Sequence, residues 1–171
     1  MSAIRQAKLT NVQQSTLLRG AKALKLKTTN STIEVGGYTF NVTREGAIRG
    51  DYDFIHSVAG IKLPEVVANK PKALVGILAQ SGTVEVVSDQ LTNQGWAVEK
   101  NITNGALVAT KGTLRIDLNI DRNGIIRQEG TNFEGTACQN TLDMLLSEVG
   151  SATITSNEMK TQPAVVVRRA I

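Results

Sequence analysis

The clearest pattern of hydrophobic and polar positions lies in the second half of the chain. Residues 114 to 120 alternate strictly between aliphatic side chains and polar or charged ones. A period of two predicts a half-buried β-strand. The dipeptides Asn104-Gly105 and Asn123-Gly124 supply residues that tight hairpin turns require. Together these signals predict a meander of four strands over residues 96–102, 106–110, 114–120 and 125–129.

A second hairpin is predicted in the first third of the chain. Ile33 and Val35 precede Gly36-Gly37, and alternating apolar positions continue afterwards to residue 42. The glycine pair supplies the positive φ angles of a tight turn. Short strands are also predicted over residues 3–9, 51–58 and 151–156.

Four segments of the chain are predicted to form helices. Leu17, Leu18, Ala21 and Leu24 share one face, which predicts a helix capped by Thr10 or Asn11 and running to about residue 24. Gly20 weakens that helix by roughly 1 kcal/mol. Two short helices are predicted over residues 71–80 and 83–94, and another over residues 136–149.

Two segments leave the pattern ambiguous or irregular. Val84, Val86 and Val87 are β-branched, so a strand is the alternative for the first half of the helix at residues 83–94. Pro64 and Pro71 predict irregular structure over residues 61–71.

The order of these elements predicts an α+β fold. We expect a mostly antiparallel sheet, or two small sheets, with three to four helices packed on one side. The predicted organisation is an N-terminal α+β unit with a basic first helix at residues 1–112, a hairpin-plus-helix unit at 113–156, and a flexible basic tail at 157–171.

Composition excludes several classes of protein. The chain has 171 residues, one Cys and one His, so a disulfide framework, a Cys-rich zinc site and a multi-His metal site are excluded. No apolar run approaches the roughly 20 residues that span a membrane. The first nine residues lack the apolar core of a signal peptide. These features predict a cytoplasmic protein with no membrane association.

The charge is unevenly distributed along the chain. The net charge is +4, but residues 1–33 contain no acidic residue and six cationic ones. The tail after Met159 adds Lys160, Arg168 and Arg169, again without an acidic residue. Basic ends on a mildly acidic body predict an anionic partner. The alternative is a solvated helix face together with a disordered tail.

The candidates for catalysis and metal binding have simpler structural interpretations. Cys138 lies on the apolar stripe of its helix, and His56 is the chain's one histidine. The pairs Asp51 with Asp53 and Asp117 with Asp121 have generic spacing, typical of solvated strand faces. No glycine loop is followed by a phosphate-binding lysine. We therefore expect no enzymatic activity, no catalytic residue, no cofactor and no metal site.

The charge pattern favours a nucleic-acid-binding accessory protein. Cations neutralise phosphates, and the scarce aromatic residues leave little base readout, so binding is expected to depend steeply on salt. Single-stranded DNA is the favoured ligand, and the protein would recruit a polymerase or another machine. The predicted phosphate-binding residues are Arg5, Lys8, Arg19, Lys22, Lys25, Lys27, Arg115, Arg122, Arg127, Arg168 and Arg169.

One short motif resembles a known family. Gly135-x-x-Cys138, followed by Leu145 and Gly150, has the Gly-x-x-Cys entry and Leu-Gly exit of a small uncharacterised domain family, over roughly residues 113–156. The N-terminal part is more weakly similar to its companion, a conserved cyanobacterial and plastid protein family of unknown activity. That similarity rests on the Met-Ser start, the early helix and residues 91–100.

Both families occur near MoxR-type AAA ATPases and von Willebrand factor A proteins. The resemblance therefore implies an alternative function, a protein–protein adaptor whose basic ends dock on an acidic partner in such an ATPase system. A homo-oligomer is compatible with either function.

Overall fold

The computed structural model describes residues 2–50, 54–58, 61–67, 72–133 and 137–160. Three helices and eleven strands lie within these ranges, so the predicted α+β fold is confirmed. In chain order they are β1 (Ser2–Val12), α1 (Gln14–Ala23), β2 (Thr32–Val35), β3 (Tyr38–Val42), β4 (Ile48–Arg49), β5 (Phe54–Val58), β6 (Ile61–Val67), α2 (Lys72–Asn93), β7 (Ala97–Asn101), β8 (Ala106–Lys111), β9 (Leu114–Ile120), β10 (Ile125–Thr131), α3 (Ala137–Ser147) and β11 (Gly150–Lys160).

Six antiparallel strands form the main sheet, in the order β11-β1-β10-β9-β8-β7. The predicted meander is confirmed as β7 to β10. Its strictly alternating strand, β9, has the predicted bounds, and Ile116, Leu118 and Ile120 point into the core. Strands from both predicted units join in this sheet, and the boundary expected after residue 112 falls in the turn between β8 and β9.

One face of the main sheet packs against the helices. Val84, Val87 and Leu91 of α2 and Leu142 and Leu145 of α3 cover it and form the main core. The opposite face is here called the open face, because no described helix packs against it. The alternation of the strands places mainly polar side chains there, since most apolar positions of the same strands point to the helices.

The hairpin predicted at the glycine pair is confirmed as β2 and β3. Gly36 and Gly37 have φ angles of +59° and +86°, as the turn requires. With β4, these strands form a three-stranded sheet. Its buried Phe40 packs with α1 and the first half of α2 in a second core. The strand predicted over residues 51–58 is confirmed as β5 where it is described, and residues 51–53 lie outside the described residues.

The two short helices predicted between residues 71 and 94 are one helix, α2, of 22 residues. The prediction of a break was wrong, and so was the strand alternative at its valines. The helix lies between the main core and the second core, so it is buried on nearly every side from Leu74 to Ser88. Packing on both sides outweighs the modest strand preference of β-branched residues.

The first helix begins later than predicted. Its N-cap is Gln13, without a side-chain capping bond, whereas Thr10 and Asn11 belong to β1. The capping prediction was therefore wrong. The apolar face was predicted correctly, since Leu17, Ala21 and Leu24 are buried. Gly20 lies where α1 crosses α2, and the backbone of α2 there leaves no room for a side chain.

Irregular structure was predicted over residues 61–71, but Ile61–Val67 forms strand β6. Among the described residues, β6 pairs with β5 alone, so its backbone has one unpaired edge. A proline is tolerated on such an edge because the missing N–H breaks no ladder bond. Pro71 itself lies outside the described residues.

The last predicted strand is longer than expected. It is β11, which runs from Gly150 to Lys160 and pairs with β1 along almost its whole length. It therefore includes the first residues of the predicted tail. The third helix is confirmed as α3 over Ala137–Ser147. Within the described ranges, no helix has the length and apolar character to cross a membrane.

Candidate nucleic-acid interface

Nine of the eleven predicted phosphate-binding residues are described, and Arg168 and Arg169 lie outside the described residues. The nine divide by burial and ion pairing. Three arginines are bound to carboxylates of the chain itself, and six cations are exposed without such a partner among the described residues. The three paired residues are Arg5, Arg19 and Arg115.

Arg5 is buried on the helix side of β1. It is only 2% exposed, and its Nη1 lies 2.6 Å from Oδ1 of Asp143 on α3. A buried guanidinium held by a carboxylate ties the sheet to α3 and is out of reach of a phosphate. Arg5 therefore has a structural role in this arrangement.

Arg19 joins the first two helices. Its Nη2 lies 2.9 Å from Asp89 and 3.3 Å from Glu85, both on α2. Glu85 also accepts a hydrogen bond from Lys100 of β7 at 3.0 Å. Since both cations are engaged with α2, neither offers a free positive charge to a ligand.

Arg115 lies on the open face of β9 and is paired within its own strand. Its Nε and Nη2 donate to the two carboxylate oxygens of Asp117 at 2.9 and 3.0 Å. The hydrogen bond and charge of Asp117 raise the pKa of Arg115, and Glu129 and Glu99 add to the effect. Arg115, which was predicted to bind phosphate, thus neutralises a carboxylate of its own strand.

Three exposed lysines stand together where α1 ends. Lys22 lies in the last turn, Lys25 has a left-handed φ of +63°, and Lys27 follows two residues later. The N–H of Leu26 bonds to the carbonyl of Ala21, so the chain turns sharply and keeps the three residues near the helix end. No described carboxylate lies within 4.0 Å of their ammonium groups. We call them the lysine cluster.

A second exposed group lies where β1 meets the turn between β9 and β10. Lys8 pairs with Ile125 in the ladder, and Arg127 lies two residues farther on the same face. Arg122 is in the turn, which is fixed to β1 by a bond from the N–H of Leu9 to the carbonyl of Gly124. We call Lys8, Arg122 and Arg127 the turn cluster.

The two clusters occupy different parts of the surface. The lysine cluster extends from α1, which packs on α2 and the three-stranded sheet, on the helix side of the main sheet. Lys8 and Arg127 of the turn cluster lie on the open face. A ligand that contacts both clusters has to pass around the edge of the molecule.

The open face also carries a feature that sequence reasoning missed. The ladder registers place five residues in a row across five neighbouring strands, from β1 to β7. We call this the transverse row: Ile4, Glu129, Asp117, Val108 and Glu99. Three carboxylates therefore share one line. Alternation alone put each of them on a polar strand face, but only the strand order brings them together.

A shallow concavity of about 310 Å³ lies over this row. Ile4, Ala106 and Val108 form an apolar floor, and all three are half-buried. Asp117, Glu129 and Arg127 are among the polar groups at its sides. The centre of the open face is thus apolar and acidic, and it repels phosphate groups rather than attracting them.

The described aromatic side chains do not form an exposed stacking platform. Phe40, Trp96 and Phe133 are buried, and Trp96 and Phe133 stack on each other in the main core with ring centres 6.2 Å apart. Tyr38 is half-buried. The side chains of Tyr52 and Phe54 lie outside the described residues. Any binding of nucleic acid by the described surface therefore depends on phosphates.

The other candidate residues have structural surroundings. Cys138 is fully buried beside Gly130, whose missing side chain leaves room for the sulfur. Asp121 accepts hydrogen bonds from the N–H groups of Asn123 and Ile125, and so shapes a turn rather than pairing with Asp117. No cluster of His, Cys, Asp or Glu within the described ranges is suited to a metal ion. The side chain of His56 lies outside the described residues.

Comparisons with protein-family models, with curated proteins and with solved structures gave no match to this chain. The resemblance to the Gly-x-x-Cys family stays a prediction.

Proposed function

We propose that the protein is a non-enzymatic accessory protein that binds nucleic acid through its phosphates, with single-stranded DNA as the favoured ligand. The observation that carries this proposal is the lysine cluster. Lys22, Lys25 and Lys27 place three exposed positive charges within six residues, and no described carboxylate neutralises them.

The turn cluster extends the cationic surface to the other side of the main sheet. Duplex DNA has a persistence length of about 150 base pairs, so bending it around a small protein costs several kcal/mol. A single strand follows separated cations without that cost. The separation of the two clusters therefore favours a single strand, although the buried aromatic residues give it little base readout.

The ion pairs of three arginines reduce the number of residues in the proposed binding surface. Arg5, Arg19 and Arg115 are held by carboxylates, so the proposed binding surface consists of the six exposed cations, together with Arg168 and Arg169 of the tail. The transverse row excludes the phosphate chain from the centre of the open face, because three carboxylates repel it.

The variants that test this proposal neutralise the lysine cluster. Each contact with a single strand contributes about 0.7 to the slope of log K against log salt. We expect the triple variant K22Q/K25Q/K27Q to bind a labelled single strand more weakly at low salt, with a slope shallower by about 2. Fluorescence anisotropy titrations at several salt concentrations measure both quantities.

Arg115→Gln is the matched control for one of these changes. It removes the same single charge as Lys25→Gln, but from an arginine already bound to Asp117. Lys25→Gln should reduce the slope and Arg115→Gln should leave it unchanged. Equal effects from both would show that net charge, rather than the lysine cluster, controls binding.

The adaptor function, docking on a MoxR-type AAA ATPase, is the alternative to this proposal. It predicts no affinity for nucleic acid at low salt, together with capture of an acidic protein partner. The same titrations therefore separate the two functions.

A further inference from the structure

The transverse row is an unusual arrangement for an exposed sheet face. Glu129 and Asp117 lie directly opposite each other on neighbouring strands, and Glu99 follows across β8. Like charges opposite one another destabilise a sheet. Arg115 compensates Asp117, but no described cation lies within 4.0 Å of Glu129 or Glu99. The row therefore offers two carboxylates that have no ion-pair partner among the described residues, beside an apolar floor.

The segment with matching chemistry is the chain's own C-terminal part. Residues 161–171 have the sequence TQPAVVVRRAI, with three consecutive valines followed by two arginines and no acidic residue. An apolar stretch followed by two cations complements an apolar floor followed by carboxylates. This segment continues directly from β11.

The distances agree with this match. β11 is separated from β7 by five strand spacings, or about 24 Å. Eight extended residues span about 26 Å. A chain that crosses the sheet from Lys160 would therefore bring position 166 over Val108 and positions 168 and 169 beside Glu99. The crossing begins close to the row, since Lys160 pairs with Ser2, which lies two residues before Ile4.

We propose that residues 161–171 dock on the open face of their own chain, with the valines on Ala106 and Val108 and with Arg168 and Arg169 beside Glu99. In the docked state the two arginines are neutralised by the row and do not bind phosphates. The tail and a nucleic-acid strand then compete for Arg168 and Arg169. The docking itself does not depend on the proposed function.

A spin label on the tail tests the docking in the full chain without nucleic acid. Cys138, the chain's one cysteine, is fully buried. The nitroxide reagent therefore reacts with the cysteine introduced by Ala170→Cys. With a nitroxide there, the amide NMR signals of Val108, Asp117 and Glu129 should lose most of their intensity. Signals of β2 and β3, in the three-stranded sheet, should keep theirs.

Charge reversal provides the matched comparison. The variant E99K/E129K should abolish the loss of signal in the row, because both carboxylates of the row that lack an ion pair are replaced by cations that repel Arg168 and Arg169. The control E34K/E45K makes the same change of charge at two exposed positions of the three-stranded sheet and its loop, and should leave the loss intact. Adding R168E/R169E to E99K/E129K should restore it, since the charges are then exchanged.

Three results would overturn the proposal. The first is an absence of selective broadening in the row of the labelled chain. The second is broadening that persists in E99K/E129K. The third comes from a mixture of two chains, one isotope-labelled without a nitroxide and the other spin-labelled without isotopes. If the isotope-labelled chain loses as much signal in the row as the doubly labelled chain does, the tail docks on a second copy. Failure to bind DNA changes none of these outcomes.

Discussion

Replacing Gly82 with alanine is expected to lower the free energy of unfolding by about 3 kcal/mol, at the upper end of the cost of overpacking. A methyl group at position 82 would lie 2.0 Å from the carbonyl oxygen of Thr16 on α1. Across the same crossing, a methyl group on Gly20 would lie 2.2 Å from the carbonyl oxygen of Leu78. The helices can approach this closely because both positions lack a side chain. Chemical denaturation measures the effect.

The sign of the change in the free energy of unfolding separates the effect of the helix crossing from the helix propensity of alanine. In an isolated helix, alanine in place of glycine is stabilising by about 1 kcal/mol. Gly112→Ala serves as the control, because nothing lies within 4 Å of the added methyl group and only its left-handed φ of +60° is unfavourable. That variant should cost about 1 kcal/mol. Stabilisation by Gly82→Ala would mean that α1 and α2 do not cross as described.

Replacing Phe40 with alanine is expected to cost about 4 kcal/mol and to destabilise the whole chain rather than the three-stranded sheet alone. Phe40 is fully buried in the second core. The helix α2 contributes Leu74 and Ile77 to this core and Val84 and Leu91 to the main core. A loss in one core therefore weakens the other through a shared, continuous helix.

Two probes of unfolding test this coupling. Trp96, the chain's one tryptophan, lies in the main core, so its fluorescence reports on the side of the molecule away from Phe40. The fluorescence and far-ultraviolet circular dichroism transitions of Phe40→Ala should coincide and shift together. Thr39→Ala, at the exposed neighbouring position, should change stability by less than about 0.5 kcal/mol. Separate transitions would show that the two cores unfold independently.

Elements whose pattern is local were predicted well. The alternation in β9 and the glycine pair between β2 and β3 need no tertiary information, because each fixes its own geometry. The buried face of α1 was also correct. These are the parts in which burial on one side and polarity on the other leave a regular trace.

Elements that depend on their neighbours were predicted less well. The unbroken helix α2 is buried on both sides, so it lacks the amphipathic period that would mark it as one continuous helix. The sequence analysis counted Gly20 only as a cost to its helix, whereas in the structure Gly20 and Gly82 form the close contact between α1 and α2. Pro64 lies where the register of β6 with β5 is irregular, and such an irregularity leaves no local signal in the sequence.

The candidate site shows the same division. The cationic character of the N-terminal segment was visible in the sequence, and Lys22, Lys25 and Lys27 are exposed together as that interpretation requires. The pairing of Arg5 and Arg19 depends on the packing of α3 against β1 and of α2 against α1, whereas Arg115 pairs with Asp117 within its own strand. The transverse row depends on strand order, so no local signal predicted that Glu129, Asp117 and Glu99 lie in one line.

Binding of the full chain to a labelled single-stranded oligonucleotide and to its duplex, followed by fluorescence anisotropy at low and near-physiological salt, tests the proposed function most directly. With the six exposed cations and Arg168 and Arg169 in contact, the slope of log K against log salt for the single strand should be about −5.6. The predicted result is saturable binding that prefers the single strand and weakens by that slope. Absence of binding even at low salt would contradict a nucleic-acid function.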